Sequence, residues 1–234
     1  MVEIIDTIKE RVLSVRERME RSAARVGRRA SEIQLMAVTK TRTKEEMLEA
    51  ASLVDVLGEN RVQEASSKKR DWPGSMNVAW HLIGHLQSNK VRKALSVFDG
   101  VDSVDSVGLA LAVERIAAET DRVVPVLLEV NTSGEAAKTG VAPEHFPELL
   151  DRALDCPHLR LDGLMTIGPL TEAEAEARRA FARLREMVLE ARHKSGLLLS
   201  VLSMGMSDDF EWAILEGSTV VRIGTALFGA RHGL

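Results

Sequence analysis

Apolar residues near the start of the chain recur every three or four positions. Ile5, Ile8, Val12, Val15 and Met19 follow this spacing, with arginine and glutamate between them. A period close to 3.6 is typical of a helix with one apolar face. We therefore predict an amphipathic helix within residues 1–27 that packs on the rest of the protein.

Beyond this helix, short apolar runs alternate with longer amphipathic segments. We predict strands at 33–38, 54–57, 79–83, 97–101, 123–130, 160–166, 198–203 and 219–223. We predict helices at 43–52, 60–70, 106–119, 143–154, 171–193 and 208–215, with a weaker helical pattern at 86–95. Eight strands alternating with helices predict an α/β protein, a (β/α)8 barrel of the TIM type with an extra N-terminal helix. A doubly wound open sheet is the alternative, since a strand count from one sequence can be off by one.

Composition narrows the class of protein. A length of 234 residues suits one barrel, and since no Pro-, Gly- or Ser-rich linker interrupts the chain, we predict a single domain spanning 1–234. A net charge of -4 argues against non-specific binding to nucleic acid. The single cysteine, Cys156, excludes an intramolecular disulfide and favours a reducing compartment. Without an apolar run of roughly 20 residues or a signal-peptide pattern, we expect a cytoplasmic protein with no membrane partner.

Residues suited to one kind of chemistry follow the predicted strands. Lys40 comes just after the first strand, Ser207 after the seventh, Arg222 lies in the eighth, and Gly224-Thr225 follows it. A barrel brings these strand ends to one mouth, and barrel phosphate sites are built from the loops after strands 7 and 8. An amine can bond an aldehyde, while hydroxyls and free backbone N–H groups bind phosphate. Together these residues predict a site for pyridoxal 5'-phosphate (PLP).

Each residue also has a structural explanation. Lys40 could be a solvated surface lysine, although partial burial at the mouth would lower its pKa and favour the reactive amine. Ser207 could simply be the N-cap of the helix at 208–215, and the acidic pair Asp208 and Asp209 would repel phosphate unless both point outward. Arg222 could face solvent, whereas an inward guanidinium needs a partner or a ligand.

Histidine and serine patterns do not suggest other chemistry. His81 and His85 are four residues apart across a strand–turn boundary, with no cysteine or carboxylate clustered beside them, so we expect no metal site. The chain contains no G-x-S-x-G motif of the kind that carries a nucleophilic serine.

Six segments, in order between about residue 33 and residue 231, resemble the PLP homeostasis protein family. They are 37–40 (AVTK), 58–64 (GENRVQE), 80–90 (WHLIGHLQSNK), 163–168 (GLMTIG), 202–207 (LSMGMS) and 222–229 (RIGTALFG). Proteins of this family are similar to the N-terminal barrel of alanine racemase and lack its second domain. Thr39 and Arg61 depart from the family pattern, which often has serine and an aromatic residue there.

The resemblance implies a role for each residue at the mouth. Lys40 would carry PLP as an aldimine, and Arg222 would face the pyridine nitrogen. Phosphate would be held by Ser207, Gly224 and Thr225, with Asn60 and His85 near the cofactor.

An arginine at the pyridine nitrogen predicts a cofactor with little catalytic power. Arginine is permanently protonated and cannot accept the pyridine proton, so the ring stays neutral and withdraws electrons weakly. The chain also has no tyrosine, the residue that works opposite the lysine in alanine racemase. We therefore expect a monomeric, non-catalytic PLP binder that maintains the PLP pool, with apo PLP-dependent enzymes as possible recipients.

Two enzymatic alternatives stay open at this stage. One is an amino-acid racemase whose second acid–base is Lys138, His85 or a partner's side chain. The other is a barrel enzyme that acts on another phosphorylated metabolite, with Lys40 as the base.

Overall fold

The structure, a computed structural model, describes residues 7–135 and 137–230. Eight parallel strands close into a barrel in the order β1 to β8, so the barrel prediction is confirmed and the open sheet is excluded. The strands are β1 Gln34–Val38, β2 Val56–Glu59, β3 Ala79–Leu82, β4 Gly100–Val104, β5 Val124–Glu129, β6 Leu159–Met165, β7 Val201–Ser203 and β8 Val220–Ile223.

Helices alternate with these strands around the barrel. They are α1 Ile8–Ala24, α2 Lys44–Ala51, α3 Val62–Arg70, α4 Val91–Leu95, α5 Val107–Glu119, α6 Phe146–Leu154, α7 Glu174–Ser195, α8 Phe210–Leu215 and α9 Thr225–Phe228. The main apolar core lies where these helices cover the outside of the barrel. A smaller cluster contains Met36, Val56, Ile83 and Val220. No described helix is both long and apolar enough to cross a membrane.

The predicted N-terminal helix is present as α1. Thr7 caps it, because its hydroxyl accepts a hydrogen bond from the Glu10 N–H while the Glu10 carboxylate accepts one from the Thr7 N–H. Val12, Val15 and Met19 are buried, as their spacing predicts, whereas Ile5 lies outside the described residues. Helix α1 contacts α8 and α9, which follow β7 and β8.

The fourth strand does not lie where the sequence placed it. It spans Gly100–Val104, not 97–101, because Val97 and Phe98 belong to the apolar core beyond the end of α4. The strand itself contains the buried polar residues Asp102 and Ser103. Asp102 bonds His81 on the neighbouring strand β3, and Ser103 bonds the Gly84 carbonyl just after it. A search for apolar runs does not detect a strand whose buried positions include polar residues.

Candidate functional site

A cavity of about 170 Å³ opens at the mouth of the barrel, between the ends of β1, β7 and β8. We call it the mouth cavity. Five of the seven residues predicted to hold a cofactor line it, namely Lys40, Arg222, Ser207, Gly224 and Thr225. The remaining lining residues are Val38, Thr41, Arg42, Met206 and Asp208.

Lys40 lies two residues beyond the last residue of β1, where the strand turns toward α2. The residue as a whole is exposed. The residue before it, Thr39, is fully buried, and its N–H donates to the Gly58 carbonyl on β2. The residue after it, Thr41, has a φ of 64°, a left-handed conformation that β-branched residues rarely adopt. The amine is therefore presented from a sharp and well-held turn.

Arg222 points into the barrel. Along β8, Val221 and Ile223 belong to the outer core, so the alternate positions Val220 and Arg222 face inward. The guanidinium is buried, with Nη1 donating to the Ser203 hydroxyl at 2.8 Å and Nη2 donating to the Thr166 carbonyl at 2.8 Å. Inward placement therefore does not by itself require a ligand, because these two groups already accept hydrogen bonds. The same side chain also borders the mouth cavity.

Several carboxylates surround this buried cation without forming a salt bridge to it within the described residues. Burial lowers the pKa of Arg222, and the negative charges of Glu129, Asp102 and Asp209 oppose that effect. Glu129 lies at the end of β5 and was not found by sequence reasoning. Its Oε1 accepts a hydrogen bond from the Thr139 hydroxyl, while its Oε2 is buried and has no hydrogen-bond partner among the described residues. Burial raises the pKa of Glu129 more than Thr139 lowers it.

Ser207 does not cap the helix that follows it. Helix α8 begins at Phe210 and its N-cap residue is Asp209, so the structural explanation of Ser207 as an N-cap is wrong. The Ser207 hydroxyl instead accepts a hydrogen bond from the Ala226 N–H at 3.2 Å, in the first turn of α9. This contact joins the loop after β7 to the loop after β8, and both line the mouth cavity.

The two aspartates after Ser207 differ in position. Asp209 is buried, and its Oδ1 accepts a hydrogen bond from the Met206 N–H at 2.6 Å. Burial raises the pKa of Asp209, although the bond from Met206 lowers it. Asp208 is exposed but lines the mouth cavity, so one carboxylate does stand beside the predicted phosphate position.

Gly224 and Thr225 form the start of the short helix α9, which the sequence had presented only as a turn. The N–H groups of Leu227 and Phe228 donate to the Gly224 carbonyl and close the first turn. The first N–H groups of any helix have no partner within that helix. Gly224 and Thr225 line the mouth cavity, so the start of α9 brings backbone N–H groups and a hydroxyl to its wall.

Arg42 is a lining residue that sequence reasoning missed. Its guanidinium is largely buried and donates to the Phe228 carbonyl at 3.3 Å and the Gly229 carbonyl at 2.8 Å. It also stacks over the Phe228 ring at 5.3 Å. The arginine thus ties the loop of Lys40 to the end of α9. Its position two residues after Lys40 indicates that it lies near the mouth, but the local sequence does not indicate the direction of its side chain.

Asn60 and His85 lie at the ends of β2 and β3, outside the lining of the mouth cavity. Asn60 is half-buried, and no group in the described part of the chain forms a hydrogen bond with its buried Oδ1. His85 is exposed and pairs with Asp105 at 3.0 Å. Lys138, the other acid considered for a racemase, also lies outside this lining, and its amine donates to the Gly168 carbonyl and to Glu135.

Comparison with known proteins places this geometry in a family. Residues 15–232 match the model of the alanine racemase N-terminal domain. A pyridoxal phosphate homeostasis protein of Pseudomonas aeruginosa is 44% identical, over 97% of this chain and 97% of its own length. One from Aquifex aeolicus is 41% identical, over 95% of this chain and 97% of its own length.

Solved structures agree with this match. PipY of Synechococcus elongatus with PLP bound is 37% identical, has a TM-score of 0.83, and the match covers 95% of this chain and 100% of PipY. An alanine racemase of Clostridium difficile shares the fold with a TM-score of 0.70 at 16% identity. That match covers 94% of this chain and 58% of the racemase.

Proposed function

We propose that this chain, which belongs to the family of pyridoxal phosphate homeostasis proteins, binds PLP in the mouth cavity and serves to hold the cofactor and pass it on. The observation that carries the proposal is the convergence of an amine, a buried arginine and two hydroxyl-bearing loops on one cavity. These groups come from β8 and from the loops after β1, β7 and β8, and β1 is far from the other two strands in the sequence. The PLP-bound relative PipY supports the same ligand.

The residues present fit the cofactor. Lys40 offers the amine for the aldehyde, and Ser207, Gly224 and Thr225 offer hydroxyls and backbone donors for the phosphate. Arg222 would face the pyridine nitrogen. The buried Oδ1 of Asn60, which bonds no described residue, is an acceptor at the same end of the barrel. When bound, PLP supplies an electron-withdrawing ring that can stabilise a carbanion.

The side chains around the cavity do not favour turnover of amino acids. Arg222 cannot accept the proton that would strengthen electron withdrawal by the ring. The chain has no tyrosine to act as an acid–base opposite Lys40. The two substitutes considered, Lys138 and His85, lie outside the cavity lining and are paired with other groups.

An open mouth suits exchange of the cofactor. Lys40 is exposed, so a cofactor held there would be within reach of water or of another protein's amine. We infer that apo PLP-dependent enzymes are the recipients of PLP from this site.

The test uses the purified full chain. PLP is added, the covalent linkage is trapped with borohydride, and the labelled residue is found by peptide mapping. We expect one label, on Lys40, and transfer of untrapped PLP to an apo-enzyme. With free alanine and other amino acids, we expect racemisation far below about 1 per second, the lower end of ordinary enzyme rates. Absence of bound PLP, or turnover at ordinary rates, would contradict the proposal.

A further inference from the structure

Both peptide groups that flank Lys40 are held by side chains of helix α3. The carbonyl of Thr39, before Lys40, accepts a hydrogen bond from Lys68 Nζ at 2.7 Å. The N–H of Thr41, after Lys40, donates to Glu64 Oε1 at 2.6 Å. Lys68 and Glu64 are four residues apart on one face of α3 and pair with each other at 2.7 Å. We call this pair the α3 clamp.

The α3 clamp is anchored inside the protein by Glu59. This residue ends β2 and is fully buried, and its Oε1 accepts hydrogen bonds from Lys68 at 2.7 Å and from the Thr39 hydroxyl at 2.8 Å. The Lys68 side chain is only 11% exposed. A buried ammonium with three oxygen acceptors has little freedom to move. The clamp is therefore a fixed support and not a mobile surface ion pair.

The charge of Glu64 and the backbone strain at Thr41 both indicate that the clamp stabilises the turn at Lys40. Burial alone raises the pKa of Glu64, but the hydrogen bonds from Lys68 and Thr41 outweigh it and lower the pKa, which keeps this carboxylate charged. Thr41 has a φ of 64°, which is unfavourable for a β-branched residue. A charge-assisted hydrogen bond to its N–H stabilises this conformation. The backbone at Lys40 thus keeps a turn that its sequence disfavours.

We propose that Lys68 and Glu64 are positioning residues, which hold the backbone of Lys40 so that its amine is directed at the aldehyde of PLP. The inference rests on the proposed function, because it assumes that Lys40 bonds the cofactor. In that bond the Lys40 nitrogen would add to the aldehyde carbon, C=N would replace C=O, and the aldehyde oxygen would leave as water with two hydrogens from the amine. Among the described residues, the hydrogen bonds and ion pairs of the clamp go to Thr39, Thr41 and Glu59, and not to the phosphate loops or to Arg222. Loosening it therefore weakens covalent capture and leaves phosphate binding intact.

Two ligands separate these contributions. PLP can bond Lys40, whereas pyridoxine 5'-phosphate carries an alcohol in place of the aldehyde and binds only without a covalent bond. For Glu64→Ala, we expect PLP to bind about threefold to tenfold more weakly, the effect of one lost hydrogen bond. The borohydride-trapped fraction on Lys40 should fall in parallel. Affinity for pyridoxine 5'-phosphate should not change.

Further variants distinguish loss of the clamp from general destabilisation of the fold. Glu64→Gln keeps an oxygen acceptor for the Thr41 N–H but loses the charge, so it should recover most of the affinity for PLP that Glu64→Ala loses. The double variant Glu59→Gln with Lys68→Met removes the clamp lysine without leaving a buried charge unpaired, and it should behave like Glu64→Ala. Lys69→Ala is the matched control, because this neighbouring lysine lies over the Trp80 ring at 4.8 Å and not at Thr39.

The outcomes are distinguishable. Equal losses for both ligands, or no loss for either, would overturn the positioning role of the clamp. A wild-type protein that shows no label on Lys40 would instead overturn the proposed function on which the inference rests.

Discussion

Removing two hydroxyl groups at the mouth of the barrel tests where the phosphate of PLP lies. We expect Ser207→Ala combined with Thr225→Val to weaken binding of PLP much more than binding of pyridoxal, which has no phosphate. Each hydrogen bond to a charged group is worth about 1.5–3 kcal/mol, so two bonds correspond to about 3–6 kcal/mol. At about 1.4 kcal/mol for each factor of ten, this range is a loss of about 10²–10⁴-fold in affinity.

The structure favours the lower end of this range. The Ser207 hydroxyl accepts a hydrogen bond from the Ala226 N–H, so removal of the hydroxyl frees a backbone donor beside the cavity. That N–H can then donate to the phosphate and replace part of the lost interaction. We therefore expect a loss of about 100-fold for PLP.

The assay is a titration of each variant with PLP and with pyridoxal, followed by absorbance. The variant leaves Lys40 unchanged, so the bond to Lys40 cancels when variant and wild type are compared for one ligand, and the difference between the two ligands reports on the phosphate. Ser96→Ala with Thr120→Val is the matched control, since these hydroxyls bond carbonyls within α4 and at the end of α5. If the cavity variant loses the same factor for both ligands, Ser207 and Thr225 do not bind the phosphate.

Three further predictions follow from single positions. Lys40→Ala should abolish the borohydride-trapped label. Because the residue is exposed, the unfolding free energy should change by less than about 0.5 kcal/mol. A label on another lysine would contradict this prediction. Gly205→Ala should lower the urea midpoint of unfolding more than Gly27→Ala does. Both glycines have positive φ, but of the two only Gly205 would place a β-carbon 2.6 Å from a side chain of α8. Equal midpoints would show that this close contact does not destabilise the protein. Burial lowers the pKa of His81, but the charge and hydrogen bond of Asp102 outweigh it and raise the pKa above 6.5. The resulting stabilisation is complete below about pH 6.5 and is lost as pH rises through the raised pKa. Between these pH values the unfolding free energy of the wild type should fall relative to that of His81→Asn. Parallel curves of unfolding free energy against pH for the two proteins would refute this.

The sequence by itself determined the barrel and the end of it that carries the candidate chemistry. Alternating apolar runs and amphipathic segments are local patterns, and the period of each is set by its own backbone geometry. A closed parallel barrel then brings every strand end to the same mouth. For this reason Lys40 could be expected to meet Ser207 and Thr225, although it is far from both along the chain.

Tertiary structure alone decided how these residues are held. The pattern of β8 left two directions open for Arg222, and only the closed barrel provides the Ser203 hydroxyl and the Thr166 carbonyl as partners. The start of β4 depended on partners of Asp102 that lie on another strand. Ser207 has the residue type of an N-cap, yet its bond goes to a segment 19 residues later.

Helix α3 shows most clearly what could not be predicted from the sequence alone. Nothing near Lys40 in the sequence indicates that Lys68 and Glu64 hold the peptide groups on either side of it. The hydrophobic pattern fixes where a helix packs, because burial of apolar area is non-directional and repeats with the helix period. A hydrogen bond depends on distance and angle between two particular groups, and those are set only when the strands and helices have come together.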